Sequence, residues 1–204
     1  MGSTMQENLT SEEQKILLRL AREAMERAVK GEELLPLELA SLPVALREAG
    51  CSFITLTVRG QLRGCIGSLD AYQSLAEDVR HHAMAAALKD PRFPPVREEE
   101  TSEIQIEVSR LTRAVLLEYQ DANDLLSKLR PDVDGVILRA FPYHRATFLP
   151  QVWEKIPDCA EFLNNLCYKM GMEPDAWRYT HFEVLTYQVE EFHEGTFLEG
   201  AIPE

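Results

Sequence analysis

The sequence predicts an α+β domain with largely antiparallel strands. Three observations carry that reading. Runs of period two recur, most clearly at residues 53–58 and 104–109, where apolar and polar side chains alternate. Helical patterns open on capping signatures, Thr10-Ser11-Glu12-Glu13, Ser74-Leu75-Ala76-Glu77 and Asp158-Cys159-Ala160-Glu161. Strands and helices do not alternate strictly, as they must in a doubly wound parallel sheet. The 204 residues suit one domain of one or two lobes with a substantial core.

In the first helix the Thr10 hydroxyl meets the Glu13 amide and the Glu13 carboxylate reaches back. Leu17, Leu20, Ala21, Ala24 and Ala28 then follow at helical spacing up to a terminator at Gly31. Residues 42–50 predict a short helical turn. Residues 53–58 and 62–67 read as a hairpin around Arg59-Gly60-Gln61, with Ile54, Leu56 and Val58 on one face. In the returning strand Leu62 and Ile66 are expected to share an apolar face, with Arg63 and Cys65 projecting together on the other. A second helix runs to about Leu88 with Leu75, Val79, Ala83 and Ala86 inward. His81 and His82 on it read as ordinary helical histidines.

Three prolines in Asp90-Pro91-Arg92-Phe93-Pro94-Pro95 end that helix and stiffen the loop. Further strands are expected at 104–109, near 115–117, at 136–138, at 146–150 after a Pro142-Tyr143-His144-Arg145 turn, and over 182–192. Helices are expected at 122–129 behind Asp121 and from Asp158 to Gly171. Strands followed by a capped helix at 53–88 and again at 136–171 hint at an internal duplication. Residues 1–8 are expected to lie outside the fold, and residues 193–204 to form an acidic tail.

With 21 basic and 34 acidic residues the formal charge is −13, which argues against a general nucleic-acid surface. No apolar run is long enough to span a bilayer, and no secretory leader opens the chain. Four cysteines without a close Cys-x-x-Cys pair predict reduced thiols in a cytoplasmic protein. Neither a structural-zinc spacing nor a His-x-x-x-His pair is present, and no cofactor or metal is expected.

Candidate chemistry gathers on Leu62-Arg63-Gly64-Cys65-Ile66-Gly67. A cation beside a thiol favours the thiolate, so Arg63 next to Cys65 predicts a reactive sulfur. Gly64 and Gly67 leave backbone open to a bulge or a close-approaching ligand. The alternative is a packed strand cysteine with glycines at a sheet bend. Asp90 and Arg92 form a polar pair on the stiff loop, either contacting a ligand or bracing the chain. Glu107, outward on its strand, is either a site acid/base or an ordinary exposed carboxylate.

Three ordered motifs resemble the AMMECR family, whose prokaryotic members are called AmmeMemoRadiSam system protein A. They are Leu62-Arg63-Gly64-Cys65-Ile66-Gly67, Asp90-Pro91-Arg92-Phe93-Pro94-Pro95 and Phe148-Leu149-Pro150-Gln151-Val152-Trp153. Leu9-Thr10-Ser11-Glu12-Glu13, the helix through Phe162 to Cys167 and Ala176-Trp177-Arg178 also fit, so the resemblance covers residues 9–192. It departs from the family pattern at Asp132-Val133-Asp134-Gly135 and at the turn through His144. The resemblance implies repeated strand-and-helix units around one barrel-like sheet. A larger and a smaller lobe would enclose a cleft that carries the Arg-Gly-Cys motif. It also implies a pathway shared with a Memo-type protein and a radical S-adenosylmethionine protein, while the family's molecular function is unsettled.

Two functions are then open. In the first, a cysteine-dependent enzyme, Cys65 is the nucleophile or redox thiol, activated by Arg63 and Arg92. Glu107 serves as acid/base and the amides of Gly64 to Gly67 are oxyanion donors. In the second, a non-catalytic adaptor, Gly64, Gly67, Asp90 and Arg92 line a cleft holding an anionic small molecule or partner peptide, with Arg63 and Arg92 as the anion contacts. No histidine is placed near Cys65 by the sequence.

Overall fold

In the computed structural model, which describes residues 8–140 and 144–197, the chain divides into two compact units. One comprises Met1–Leu111 and Glu190–Glu204, the other Thr112–Val189. Most of residues 1–8, the tail beyond 197 and Pro142-Tyr143 of the expected turn lie outside the described residues.

The first unit begins with α1 (Ser11–Val29). Its predicted capping box is complete, and Leu17, Ala21, Ala24 and Met25 are fully buried along one stripe. A single turn, α2 (Val44–Arg47), precedes the hairpin of β1 (Cys51–Val58) and β2 (Gln61–Gly67). Arg59 and Gly60 both have positive φ (51° and 76°), the backbone of a two-residue turn whose twist suits a hairpin. Next come α3 (Leu75–Leu88), capped by Ser74, and β3 (Ile104–Leu111), antiparallel to β1. Ile54, Leu56, Ile106 and Val108 fill one sheet face, and α1 and α3 cover it.

Inside that core Asp78 of α3 is fully buried. It accepts hydrogen bonds from the Ser52 hydroxyl of β1 (2.7 Å) and faces His82 Nδ1 (3.1 Å). A buried carboxylate survives only with such partners, so this cluster ties α3 to the first residues of β1.

The second unit holds β4 (Val115–Leu116), α4 (Ala122–Lys128), the hairpin of β5 (Gly135–Ala140) and β6 (His144–Phe148), α5 (Cys159–Lys169) and β7 (Glu183–Tyr187). Trp153 stacks on Phe162 with ring centroids 3.6 Å apart, and its indole N–H donates to the Asp134 carbonyl. Trp177 is equally buried and donates to the Asn164 side chain. The chain then returns to the first unit as β8 (Val189–His193).

The expected antiparallel α+β architecture is present, with two corrections. Among the described residues the strands form two open four-stranded sheets, ordered β2-β1-β3-β8 and β4-β7-β5-β6, and no closed barrel. The single strand expected over 182–192 is two strands, because the chain changes sheet at Gln188. The duplication has a topological counterpart: each sheet contains a hairpin, a helix and a strand returning antiparallel to the hairpin's first strand.

Candidate functional site

The motif strand β2 is an edge strand of the first sheet. Its register with β1 pairs Thr55 with Cys65 and Leu56 with Gly64, then skips to Thr57 with Leu62, so Arg63 is the extra residue of a bulge. This overturns the expected face assignment, because one inserted residue flips everything beyond it. Ile66 pairs with core-facing Ile54, whereas Leu62 pairs with Thr57 on the opposite face and is 43% exposed.

Arg63 is committed away from the thiol. Its Nε and Nη2 grip Glu100 (3.0 and 3.2 Å), while Nη1 and Nη2 donate to the Pro94 and Pro95 carbonyls (2.9 and 3.2 Å). The Arg63 guanidinium, helped by the Arg97 N–H and opposed by burial, pulls the Glu100 carboxyl down to about 2.

Asp90 and Arg92 form a fork on the free edge of β2. The Asp90 carboxylate, 4% exposed, accepts the Cys65 N–H (2.8 Å), and Arg92 Nη2 donates to the Cys65 carbonyl (3.2 Å). Between themselves Arg92 Nε and Nη2 hold both carboxylate oxygens (3.0 and 2.7 Å). The Arg92 guanidinium outweighs the cost of burial and, with the Cys65 N–H, keeps the Asp90 carboxyl well below the usual range. The Cys65 amide is thus occupied by a carboxylate and does not stand free as an oxyanion donor.

The glycines answer to the fold. A Cβ on Gly64 would lie 2.2 Å from the Ala86 carbonyl oxygen of α3, and one on Gly67 would lie 2.3 Å from the Phe53 ring. The close approach at these two positions is made by the protein itself.

Cys65 does have neighbours of chemical interest on the sheet face turned away from α1 and α3. Its sulfur accepts a hydrogen bond from the Thr55 hydroxyl (3.5 Å). Thr55 in turn pairs across the sheet with Glu107 of β3. Cys65, Thr55 and Glu107 therefore form one row across three strands, each half-buried. Burial, and then the Glu191 carboxylate, push the Glu107 carboxyl above its ordinary value, while His193 pulls it the other way.

Thr55, Glu100, Glu191 and His193 were not singled out by sequence. Thr55 was legible as a strand residue facing the same way as Cys65. The other three come together only through long-range pairing. Among the described residues no three of His, Cys, Asp and Glu are grouped to hold a metal ion, and no helix is long and apolar enough to cross a membrane. A concavity of about 450 Å³ is lined by Lys15, Arg22, Ser102, Gln105 and Glu194 and includes none of the residues expected at the site.

A family model described as AMMECR1 matches residues 18–192. A protein of Methanothermobacter thermautotrophicus is 38% identical over 191 residues, covering 91% of this chain and 96% of the relative. One from Thermofilum pendens is 35% identical over 203 residues, covering 92% of each. The crystal structure of an uncharacterised protein from Pyrococcus horikoshii aligns with a TM-score of 0.75 at 34% identity, covering 91% of this chain and 93% of that one. The motif strand, the fork on its edge and the row beside it all fall within the matched span, and the chain belongs to the AMMECR1 family.

Proposed function

We propose that the row Cys65–Thr55–Glu107 is the working site of this domain, with Cys65 as nucleophile or redox thiol and Glu107 as its acid/base. The observation that carries this reading is the cross-strand register, which lines a thiol, a hydroxyl and a carboxyl on one face with a hydroxyl-to-sulfur hydrogen bond. The raised Glu107 carboxyl supports the role, since an acid with a raised pKa retains its proton closer to neutrality. Arg63 and Asp90 become positioning residues that fix the strand presenting Cys65; Arg92 grips the same strand and also interacts with the Cys65 side chain. A reducing cytoplasmic compartment and a pathway with Memo-type and radical S-adenosylmethionine proteins belong to the same proposal.

A second reading, the non-catalytic adaptor, has one specific observation in its favour. Both arginines expected to activate the thiol are closed onto carboxylates, Arg63 on Glu100 and Arg92 on Asp90.

The test is site-resolved alkylation of the native protein by iodoacetamide, with mass spectrometry of each cysteine peptide. The working-site reading expects Cys65 to react first, ahead of half-buried Cys159, with buried Cys51 and Cys167 silent. It also expects Cys65→Ser and Cys65→Ala to abolish function alike in cells that depend on the protein. A Cys65 that reacts only on unfolding, with function retained in both variants, would leave the adaptor standing.

A further inference from the structure

Resting on the reading of Cys65 as the working site, we infer that the ligand of this face carries a positively charged nitrogen, an alkylammonium or guanidinium. The two arginines of the motifs instead suggest an anion. Each is already matched by a carboxylate through two hydrogen bonds and by main-chain carbonyls. An incoming anion would have to displace Glu100 or Asp90, leaving a half-buried or buried carboxylate without its partner.

Charges of the opposite sign are presented on the face itself. Residues alternate along β3, so Gln105, Glu107 and Ser109 share the face of Thr55, while Ile104, Ile106 and Val108 fill the core. The adjacent strand β8 turns Phe192 into the same core, which sends Glu191 and His193 to the face of Glu107. From the four strands the ionisable groups here are therefore the Cys65 thiol, the Glu107 and Glu191 carboxyls and the His193 imidazole. Neither arginine nor lysine stands on this face from β1, β3 or β8; Arg63 sits at the β2 bulge, held by Glu100, and Arg92 reaches the Cys65 side chain from its loop but is matched by Asp90.

Glu191 has bonding of its own, so Glu107 is the group on which the inference rests. A ligand cation beside it would supply the compensating charge that its surroundings do not fully provide. Cys65 and Glu107 are two strands apart, about 10 Å between backbones. A ligand with its reacting centre at the sulfur would thus hold its cation a few bonds away, as on a short ω-amino chain.

The experiment uses Cys65 as its own reporter. Trimethylammonioethyl and sulfonatoethyl methanethiosulfonate differ in charge but react alike: the thiolate sulfur bonds to the reagent's sulfenyl sulfur, and methanesulfinate leaves with the bonding pair. Rates at each cysteine are divided by those for free 2-mercaptoethanol, which removes intrinsic reactivity. Cys159, in the other unit, controls for the general field of an acidic protein.

The expected result is a cation-over-anion preference at Cys65 about tenfold above that at Cys159 in dilute buffer. It should shrink in about 1 M salt and fall at least about threefold in Glu107→Gln. A preference for the anionic reagent, or one unchanged in Glu107→Gln, overturns the inference. If neither reagent reaches Cys65, the working-site reading fails by itself, and calorimetry with butylammonium and butyrate decides the ligand charge. Butylammonium binding that is lost in Glu107→Gln sustains it, whereas butyrate binding, or no butylammonium binding, ends it.

Discussion

The two sheets follow one plan and finish it differently. In each, a hairpin, a helix and a returning strand give the same neighbours, β2-β1-β3 in one and β6-β5-β7 in the other. Across each hairpin a pair ten residues apart in sequence occupies the corresponding place, Thr55 with Cys65 and Ile137 with Thr147. The row extends to Glu107 in the first sheet and to Leu185 in the second. One row is therefore Cys, Thr and Glu, half-buried. The other is Thr, Ile and Leu, each at most 9% exposed, and its hydroxyl is spent on Tyr187 (3.1 Å). The second repeat uses this face for packing and the first keeps it polar. The edge strands differ too: Asp90 and Arg92 take both main-chain polar groups of Cys65, whereas Lys169 takes only the Thr147 carbonyl (2.9 Å).

The largest contrast is expected at the glycines. Gly64→Val drives a side chain into the main chain of α3, which cannot yield, and should cost about 3 kcal/mol. Gly135→Val meets the Tyr187 ring, a side chain rather than main chain, and should cost about half as much. Hydrogen exchange resolved by unit would read both, and equal costs would break the contrast. Next in size is Asp90→Ala, which strands the Cys65 amide and the Arg92 guanidinium. About 2 kcal/mol is expected, against about 0.5 kcal/mol for Lys169→Met at the other edge. Urea midpoints of the two variants would test that order.

Acid separates the groups within the first unit. Glu100, at about 2 when folded against an ordinary 4.5, contributes stability that is present above 4.5 and lost as pH falls through about 2; Asp90 acts in the same direction. Glu107 has the opposite sign: its contribution is complete below 4.5 and lost as pH rises through its raised folded value. Glu100→Gln should therefore flatten the acid limb of a stability–pH curve, and Glu107→Gln should lift the neutral limb. A Glu107→Gln variant weaker at neutral pH than the parent would contradict that sign. A change in stability within about 1 kcal/mol is expected when Thr55→Ile and Glu107→Leu give two of the row's three positions their counterparts from the second sheet, with Cys65 kept. Alkylation of Cys65 in that variant should fall all the same.

Local patterns were the legible part of the sequence. The Thr10–Glu13 box, the Ser74, Asp121 and Asp158 caps, and the alternation of Ile104, Ile106 and Val108 all stand where the spacing put them. The bulge at Arg63 was hidden because a one-residue insertion leaves composition unchanged and alters only register. The partner of Arg63 lies 37 residues on, and no local rule connects the two. Asp90 and Arg92 were recognised as a fixed pair, but that they grip Cys65 through its main chain depends on β2 being an edge. Glu191 and His193 reach the row because β8 re-enters the first sheet after all of the second unit, a closure that periodicity cannot encode.

The chain's two tryptophans, Trp153 and Trp177, are both buried in the second unit. Intrinsic tryptophan fluorescence is consequently an optical window on that unit alone. A single smooth emission curve would describe the smaller of the two units and leave the sheet bearing Cys65 unread.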